Sequence, residues 1–340
     1  MKIAIDAMGG DYAPEVVVEG AKSALLEYSS IAELILVGDE NKIAPLITKH
    51  QLPSDRYRIV HTDEIVEMHE SGAKMLRKKK KASISLTAEI VKKGEADAMI
   101  GAGNTGAAVA NATIKFRTLE GISKASIGSL MPNSHGSCLL TDAGANPDPR
   151  PENLLESAVM GSIYMQKIHN ISKPKVGIMS NGEEEEKGTD FTRKAHTLMK
   201  ELVASGKELP FEYVGNIEGR DLFLSDIHVC LTDGFTGNII LKTAEGIAKG
   251  IGEWIKLEYK KDLFSKIAGL LSKPVFSRFK DRVSHEKAGG SLLLGVNGVC
   301  VIGHGSSSAI AIHNAIRLAM ESVKHEINSD IVATMTNLKG

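Results

Sequence analysis

Residues 101–106, GAGNTG, match the glycine fingerprint G-x-G-x-x-G, with the apolar run DAMI (97–100) before them and the helix-like AAVANATIKF (107–116) after. Strand, glycine turn and helix in that order open an α/β unit, and the pattern alone is that of a dinucleotide-binding turn. A nicotinamide-binding unit, however, carries this turn after its first strand, with an acid at the end of the next strand about 20 residues on. Here the turn stands past residue 100, and the acid at that spacing, Glu120 in RTLEGIS, follows no strand-like run. What survives is the physical core of the motif. Gly101 and Gly103 let backbone approach a ligand, and the free N–H groups of a helix starting at Asn104, Thr105 and Gly106 suit a phosphate or a carboxylate. The same residues also read as a plain helix cap, with Asn104 or Thr105 as the capping side chain.

Working outward, short β-type runs alternate with helix-period stretches along the whole chain. They are KIAI (2–5), ELILV (33–37), RIV (58–60), DAMI (97–100), CLLT (138–141), KVGIM (175–179), FEYVG (211–215), HVCLT (228–232) and VCVIG (299–303). Such alternation predicts a three-layer α/β/α fold with a mainly parallel sheet. The runs are followed by seven polar glycine turns: DAMGGD, GAGNTG, DAGANPD, SNGEEEEKG, VGNIEGRD, TDGFTGN and GHGSS. In a parallel sheet these all emerge at the carboxyl edge, where open α/β sheets bind ligands, so one site built from several turns is expected. NPDPRPEN (146–153) breaks the chain before a helix that begins near Leu154, but no repeat or low-complexity linker divides it. Residues 1–340 read as a single compact catalytic unit.

Composition narrows the function classes. Forty-one basic residues against 42 acidic ones leave a net charge of −1, which gives no reason to expect nucleic acid as a partner. Cys138, Cys230 and Cys300 lie in apolar runs without C-x-x-C spacing, as expected of buried reduced thiols. The start, MKIAIDAMGG, lacks a long apolar segment, and no uncharged run reaches the roughly 18 residues of a membrane span, so a cytoplasmic protein is expected. There is no G-x-x-x-x-G-K-[ST] phosphate loop, and the scattered histidines show no metal-ligand spacing, so no metal is expected.

Three further turns carry chemistry-bearing side chains. In TDGFTGN (232–238), Asp233 stands at a strand end and Asn238 in the first helical turn, placed to hold a ligand hydroxyl, orient a cation or cap the helix. EEEEKG (183–188) ends in Lys187, a cation beside a glycine that suits phosphate as a point charge. GHGSS (303–307) sets His304 between two glycines after the last strand.

Taken in order, DAMGGD, GAGNTG, DAGAN, VGNIEGRD, TDGFTGN, GGSLLLG and HGSS resemble the bacterial phosphate acyltransferases of phospholipid synthesis, the PlsX family, from Lys2 to about Val323. One departure is Gly101, where the family carries the serine of S-A-G-N-T-G. The resemblance implies transfer of a long acyl chain from acyl carrier protein to inorganic phosphate, without a cofactor, in a homodimer. It also implies a fold related to phosphate acetyltransferases and isopropylmalate dehydrogenases. Carried onto this chain, the catalytic candidates are Lys187, Asp233, Asn238 and His304. Phosphate falls to the amides of Gly103–Gly106 with Asn104, Thr105 and Lys187, while His304 and Asn238 donate to the developing oxyanion. Asp233 orients Lys187 or His304, or takes the phosphate proton. Gly9, Gly10, Asp11, Asp142, Asn146, Asn216, Gly234 and Ser306 complete the expected substrate-binding set.

Two basic segments stand apart. RKKKK (77–81) sets Arg77, Lys78, Lys79 and Lys80 in a row, either a solvated helix end or a patch that steers an acidic carrier protein. In residues 259–283, Leu263, Ile267, Leu270 and Leu271 form one helical stripe and Val275, Phe276, Phe279 and Val283 a second beyond Pro274, with seven basic side chains against two acidic. This predicts an inserted, protruding amphipathic helical hairpin that rests on anionic lipid at the inner face of the membrane, packs a dimer, or docks the carrier. A downstream glycerol-phosphate acyltransferase is the expected further partner. The competing functions are an NAD-dependent decarboxylating dehydrogenase of isopropylmalate type and a membrane-bound scaffold without chemistry.

Overall fold

The structure, a computed structural model, describes residues 1–283 and 285–339, the side chains at 73, 280–283 and 285 excepted. The chain begins β1 (Lys2–Asp6), α1 (Glu15–Glu27), β2 (Glu33–Gly38), α2 (Glu40–His50), β3 (Tyr57–His61), α3 (Gly72–Lys78), α4 (Ser83–Lys92), β4 (Ala98–Ala102) and α5 (Thr105–Phe116). It continues with β5 (Ser126–Asn133), β6 (Gly136–Thr141), α6 (Pro151–His169), β7 (Lys175–Met179), α7 (Asp190–Ala204), β8 (Glu212–Ile217), α8 (Asp221–Leu224) and β9 (Val229–Leu231). It ends with α9 (Gly234–Glu258), α10 (Leu263–Val283), α11 (His285–Ala288), β10 (Ser291–Leu294), β11 (Val299–Gly303), α12 (Ala309–Lys324) and α13 (Ile327–Lys339).

Among the described residues, eleven strands form one sheet in the order β3-β2-β1-β4-β11-β10-β5-β6-β9-β7-β8. All nine apolar runs read from the sequence are strands of it. Alternate side chains feed two cores. Ile3, Ile5, Leu34, Leu36, Val176 and Val229 meet helices carrying Val18, Ile163, Met199 and Ile316 on one face. Met99, Leu293 and all three cysteines meet Ala88 and Ala108 on the other. Helices on both faces make three layers, and each fully buried Ile or Leu contributes about 1.5–3 kcal/mol. The cysteines are unpaired and buried, and burial pushes the Cys300 thiol up to about 12, so none is a ready nucleophile.

The expectation of a single ligand edge is corrected by the pairing. β10 runs antiparallel to β11, β5 to β10 and β6 to β5. Three reversals turn the β6-β9-β7-β8 half against the β3-β2-β1-β4-β11 half, in each of which neighbours are parallel. The turns after β1, β4 and β11 therefore leave at one end of the strands, and those after β6, β7, β8 and β9 at the other.

The helical hairpin also differs from its expected bounds. Pro274 lies inside α10 and does not divide two helices; the paired helices are α9 and α10, with their turn at 259–262. A proline removes one helical hydrogen bond, and here the helix runs on past it. No helix among the described residues is long and apolar enough to cross a membrane.

Candidate active site

The glycines of GAGNTG first serve the packing of one turn on another. Gly103 has φ +110°, and a Cβ there would come within 2.7 Å of the Gly10 nitrogen, so the β4 turn sits directly against the DAMGGD turn. The Asp11 amide in turn donates to the Gly305 carbonyl at 2.7 Å, which joins the third turn of this end, GHGSS, to the first. Asn104 caps α5: its Oδ1 accepts from the Ala107 amide at 2.9 Å, and its Nδ2 donates to the Glu67 and Glu70 carbonyls at 3.0 and 2.8 Å. The capping reading of Asn104 is therefore the correct one, and its side chain is not available to phosphate. Thr105 and Gly106 are exposed in the first turn of α5, where backbone amides have no partner within the helix.

Beneath this end lies a residue the motif reading passed over. Asp6, 5% exposed at the end of β1, accepts from the Met8 amide at 3.1 Å, and burial raises its pKa to about 6 against a hydrogen bond from Ser83. An aspartate inside the apolar run KIAIDAM was the available signal.

At the opposite end, the polar turn residues tie the chain to itself. Asp142, 4% exposed, accepts five hydrogen bonds: Oδ1 from the amides of Ile127, Gly144 and Ala145, and Oδ2 from the amide and side chain of Asn146. Asn146 also donates to the Ala125 carbonyl, and its own carbonyl accepts from the Gly234 amide at 2.8 Å. Gly237 packs so closely that a Cβ would come within 2.0 Å of the Asp142 carbonyl oxygen. Asp233 caps α9, its two oxygens accepting from the Thr236 amide at 2.8 Å and hydroxyl at 2.6 Å. Neither Lys187 nor His304 is its partner, which corrects the orienting role expected of it. Asn216 donates to the Glu184 carbonyl at 2.9 Å, pinning the 180–189 loop, and its buried Oδ1 has no partner among the described residues. Asp142, Asn146 and Asn216 are thus turn-holding residues.

The two ends meet across the sheet face through α9. This helix starts beside the Asp142 turn, where Asn238 lies over Gly144, and runs back until Lys242 Nζ stands 3.2 Å from His304 Nε2. Between them opens a cavity of about 90 Å³ lined by Thr105, Ser129, Asn238, Lys242, Glu245 and His304 among others. Such a volume matches a small ion and falls well below the roughly 300 Å³ at which pockets begin to enclose larger ligands. Thr105, Asn238 and His304 line this one cavity. Lys187 is not among the lining residues; it lies exposed on the 180–189 loop.

His304 is held at both ring nitrogens. At Nδ1 two partners compete: the Ser306 amide at 3.1 Å, as a donor, and the Ser306 hydroxyl at 2.8 Å. Lys242 is a donor at Nε2 as the Ser306 amide is at Nδ1, so each ring nitrogen faces one N–H donor, and a neutral imidazole accepts from only one of them at a time. Lys242 in turn holds Glu245 Oε2 at 2.8 Å, 3.9 Å from the imidazole. Lys242 and Glu245 were missed because they sit mid-helix, away from any turn. Their spacing of four and seven from Asn238 puts all three on one helical face and was the signal to use. Among the described residues no group of three or more His, Cys, Asp or Glu side chains is placed to hold a metal.

The RKKKK segment divides in use. Lys79 ties the loop under Asn104, donating to Glu70 Oε2 at 2.6 Å and the Ile65 carbonyl at 2.8 Å. Arg77, Lys78 and Lys80 are exposed around the end of α3. On the hairpin, Leu263, Leu270 and Leu271 are 74, 63 and 75% exposed, with Ile267 and Phe279 also exposed. Phe276 is half-buried against Tyr259. The sequence-predicted contributions of Lys280, Asp281, Arg282 and Val283 lie outside the described side chains.

Comparison with known proteins places these features in context. A family profile described as fatty acid synthesis protein matches residues 1–330. A phosphate acyltransferase of Akkermansia muciniphila is 48% identical over 338 residues, covering 99% of this chain and 97% of its own. One from Pelotomaculum thermopropionicum is 42% identical over 339 residues, covering 100% and 96%. Among solved structures, a phosphotransacetylase from Streptococcus pyogenes superposes with a TM-score of 0.62 at 19% identity, covering 95% of this chain and 94% of its own. The EutD phosphotransacetylase of Staphylococcus aureus gives 0.60 at 15%, with the same coverage. At these identities the two structures speak for the fold, which is of the phosphate acetyltransferase type.

Proposed function

From the premise that this chain belongs to the phosphate acyltransferase family and is an acyltransferase, we propose that it moves a long-chain fatty acyl group from acyl carrier protein to inorganic phosphate, with the cavity between Thr105 and His304 as the reaction site. The product, an acyl phosphate, then feeds phospholipid synthesis. The observation that carries the assignment is the Lys242–His304–Ser306 chain, which sets a cation and an imidazole across the cavity from the start of α5.

The chemistry asks little else of the protein. A phosphate oxygen attacks the thioester carbonyl carbon, the new C–O bond forms, and the C–S bond breaks with its electron pair on sulfur. The thiol so released ionises near pH 8.5, so it departs without a strong acid. Placement and charge stabilisation supply most of the rate. Phosphate rests on the amides of Thr105 and Gly106 and draws the Lys242 ammonium to itself. That frees His304 Nε2 to take the phosphate proton, while Asn238 donates to the carbonyl oxygen as its charge grows. No dinucleotide enters this scheme, and the glycine turn survives as an anion turn packed on its neighbours.

The test follows thiol release from palmitoyl-acyl carrier protein with phosphate and without NAD, in wild type, Lys242→Ala and Lys187→Ala. Phosphate-dependent release that collapses in Lys242→Ala is expected. No release from the folded wild type removes the acyl-transfer reading. Collapse in Lys187→Ala with Lys242→Ala unaffected would move the phosphate to the 180–189 loop.

The exposed apolar side chains of α10 beside its lysines support peripheral contact with an anionic membrane, where a downstream glycerol-phosphate acyltransferase would take the product. We also propose a homodimer, checked by sedimentation mass.

A further inference from the structure

We propose that the furrow between α9 and α10 is the seat of the long acyl chain and that one face of α9 leads the chain there from the His304 cavity. The inference rests on the acyl-transfer reading and specifies where the apolar part of that substrate lies. Asn238, Leu241 and Glu245 line the cavity, and Ala248, Gly252, Ile255 and Tyr259 line the furrow. Their spacing alternates three and four throughout, so all seven lie on one continuous stripe of the helix. From Glu245 to Ala248 the step along the axis is only about 4.5 Å, so cavity and furrow adjoin. The stripe as a whole, from Asn238 to Tyr259, runs about 32 Å at 1.5 Å per residue.

The furrow has a volume of about 500 Å³, several times that of the cavity. Small residues on α9 open it: Gly252 presents no side chain, and a Cβ built there meets nothing within 4 Å. Aromatic groups wall it where α9 ends, the Tyr259 ring lying against Gly269 and meeting Phe276 edge-on at 5.6 Å. Lys256, Lys260, Lys266 and Lys273 line it too. Lysine stems extend the apolar walls beside the hydrocarbon while their ammonium groups stay in water. An apolar furrow adjoining a small polar cavity is the shape required by a substrate with a polar reacting end and a long hydrocarbon tail.

Gly252→Leu tests this on the full-length protein. The new side chain meets open space, so the fold has no reason to change, and it fills the furrow; leucine is also the better helix former. Two readouts apply. The first is binding of cis-parinaric acid, followed by energy transfer from Trp254, the single tryptophan of the chain. The second is the ratio of kcat/KM for palmitoyl over butyryl thioester donors with phosphate. The expected result is parinarate binding in wild type and its loss in the variant, with the palmitoyl-to-butyryl ratio falling at least tenfold. Absence of parinarate binding in wild type, or an unchanged ratio in the variant, overturns the proposal. So does a variant that keeps both but loses flotation with anionic vesicles or shifts its sedimentation mass, because the furrow then serves a lipid surface or a second copy. If wild type turns over neither donor with phosphate, it is the acyl-transfer reading that fails; turnover of both with an insensitive ratio sinks the furrow alone.

Discussion

Lys242 Nζ and His304 Nε2 lie 3.2 Å apart although 62 positions separate them in the chain. One comes from the third turn of a helix that starts at the far end of the sheet, the other from the glycine turn after the last strand. Their meeting brings elements from the two oppositely directed halves of the sheet to one cavity. In the reaction proposed above, a cation at this position neutralises bound phosphate and leaves the imidazole to accept its proton. Lys242→Met removes the charge and keeps most of the stem. It is expected to lower kcat/KM for phosphate by about 100-fold, the usual cost of losing one preorganised electrostatic group. The half-exposed pair with Glu245 is worth little to folding, so urea stability should hold within about 0.5 kcal/mol. Steady-state thiol release at varied phosphate, with Lys242→Arg as the charge-retaining control, checks it. Equal loss in Lys242→Arg and Lys242→Met would assign the lysine to packing.

Asp142 makes a second, structural prediction. A buried carboxylate with five N–H donors is a tie between β5, the 142–146 turn and, through the Asn146 carbonyl, the start of α9. Asp142→Asn keeps the shape, removes the charge and points an NH₂ at groups that are themselves donors. The expected loss is about 3 kcal/mol, the scale of hydrogen bonds to a charged acceptor. Urea unfolding measures it, and a change below about 1 kcal/mol would show that the turn holds without its carboxylate.

The strands and their helices were legible because nine of the runs are short, apolar and bounded by glycine turns. β5 and β10 were not. SIGSLMPN is interrupted by a glycine and Pro132, and SLLL, four residues between Gly290 and Gly295, reads as part of a glycine turn, so neither stands out as a strand. These two strands sit at the centre of the sheet and carry its reversals, which is why a parallel sheet with one ligand edge was the natural but incorrect picture. At the site, His304, Thr105 and Asn238 were legible because they stand at strand-to-helix turns. Asn104, Asp142, Asn146 and Asp233 stand at such turns as well, but bind backbone. An amide or carboxylate that ties a turn is chemically identical to one that holds a ligand, and only distances separate the two.

The hairpin gives a prediction that keeps clear of the furrow. Leu263 and Leu271 are about three-quarters exposed and line neither cavity nor furrow. Placing aspartate at both, in Leu263→Asp/Leu271→Asp, sets charge on the apolar face and lowers the attraction to anionic lipid. The double variant should lose most of its flotation with phosphatidylglycerol vesicles while its turnover of a butyryl donor in solution persists. Retained flotation would remove this face of α10 from the membrane contact.

Asp6 predicts how stability changes with pH. Its carboxyl has a pKa of about 6 in the folded protein, because burial at the end of β1 opposes ionisation more than Ser83 and the local amides favour it. In the unfolded chain the value returns to about 3.9. Between these two values the folded state holds more protons than the unfolded one, so the slope of stability with pH is negative. The contribution of Asp6 is therefore fully present below about pH 4, declines as pH rises to about 6, and then levels off, with a total change of roughly 3 kcal/mol. Asp6→Asn is neutral throughout and lacks this decline. Urea unfolding of both proteins from pH 4 to pH 7 should show the variant gaining on the wild type across that window, by up to that amount. A stability difference that stays constant with pH would mean that Asp6 ionises as readily beneath the glycine turns as it does in water.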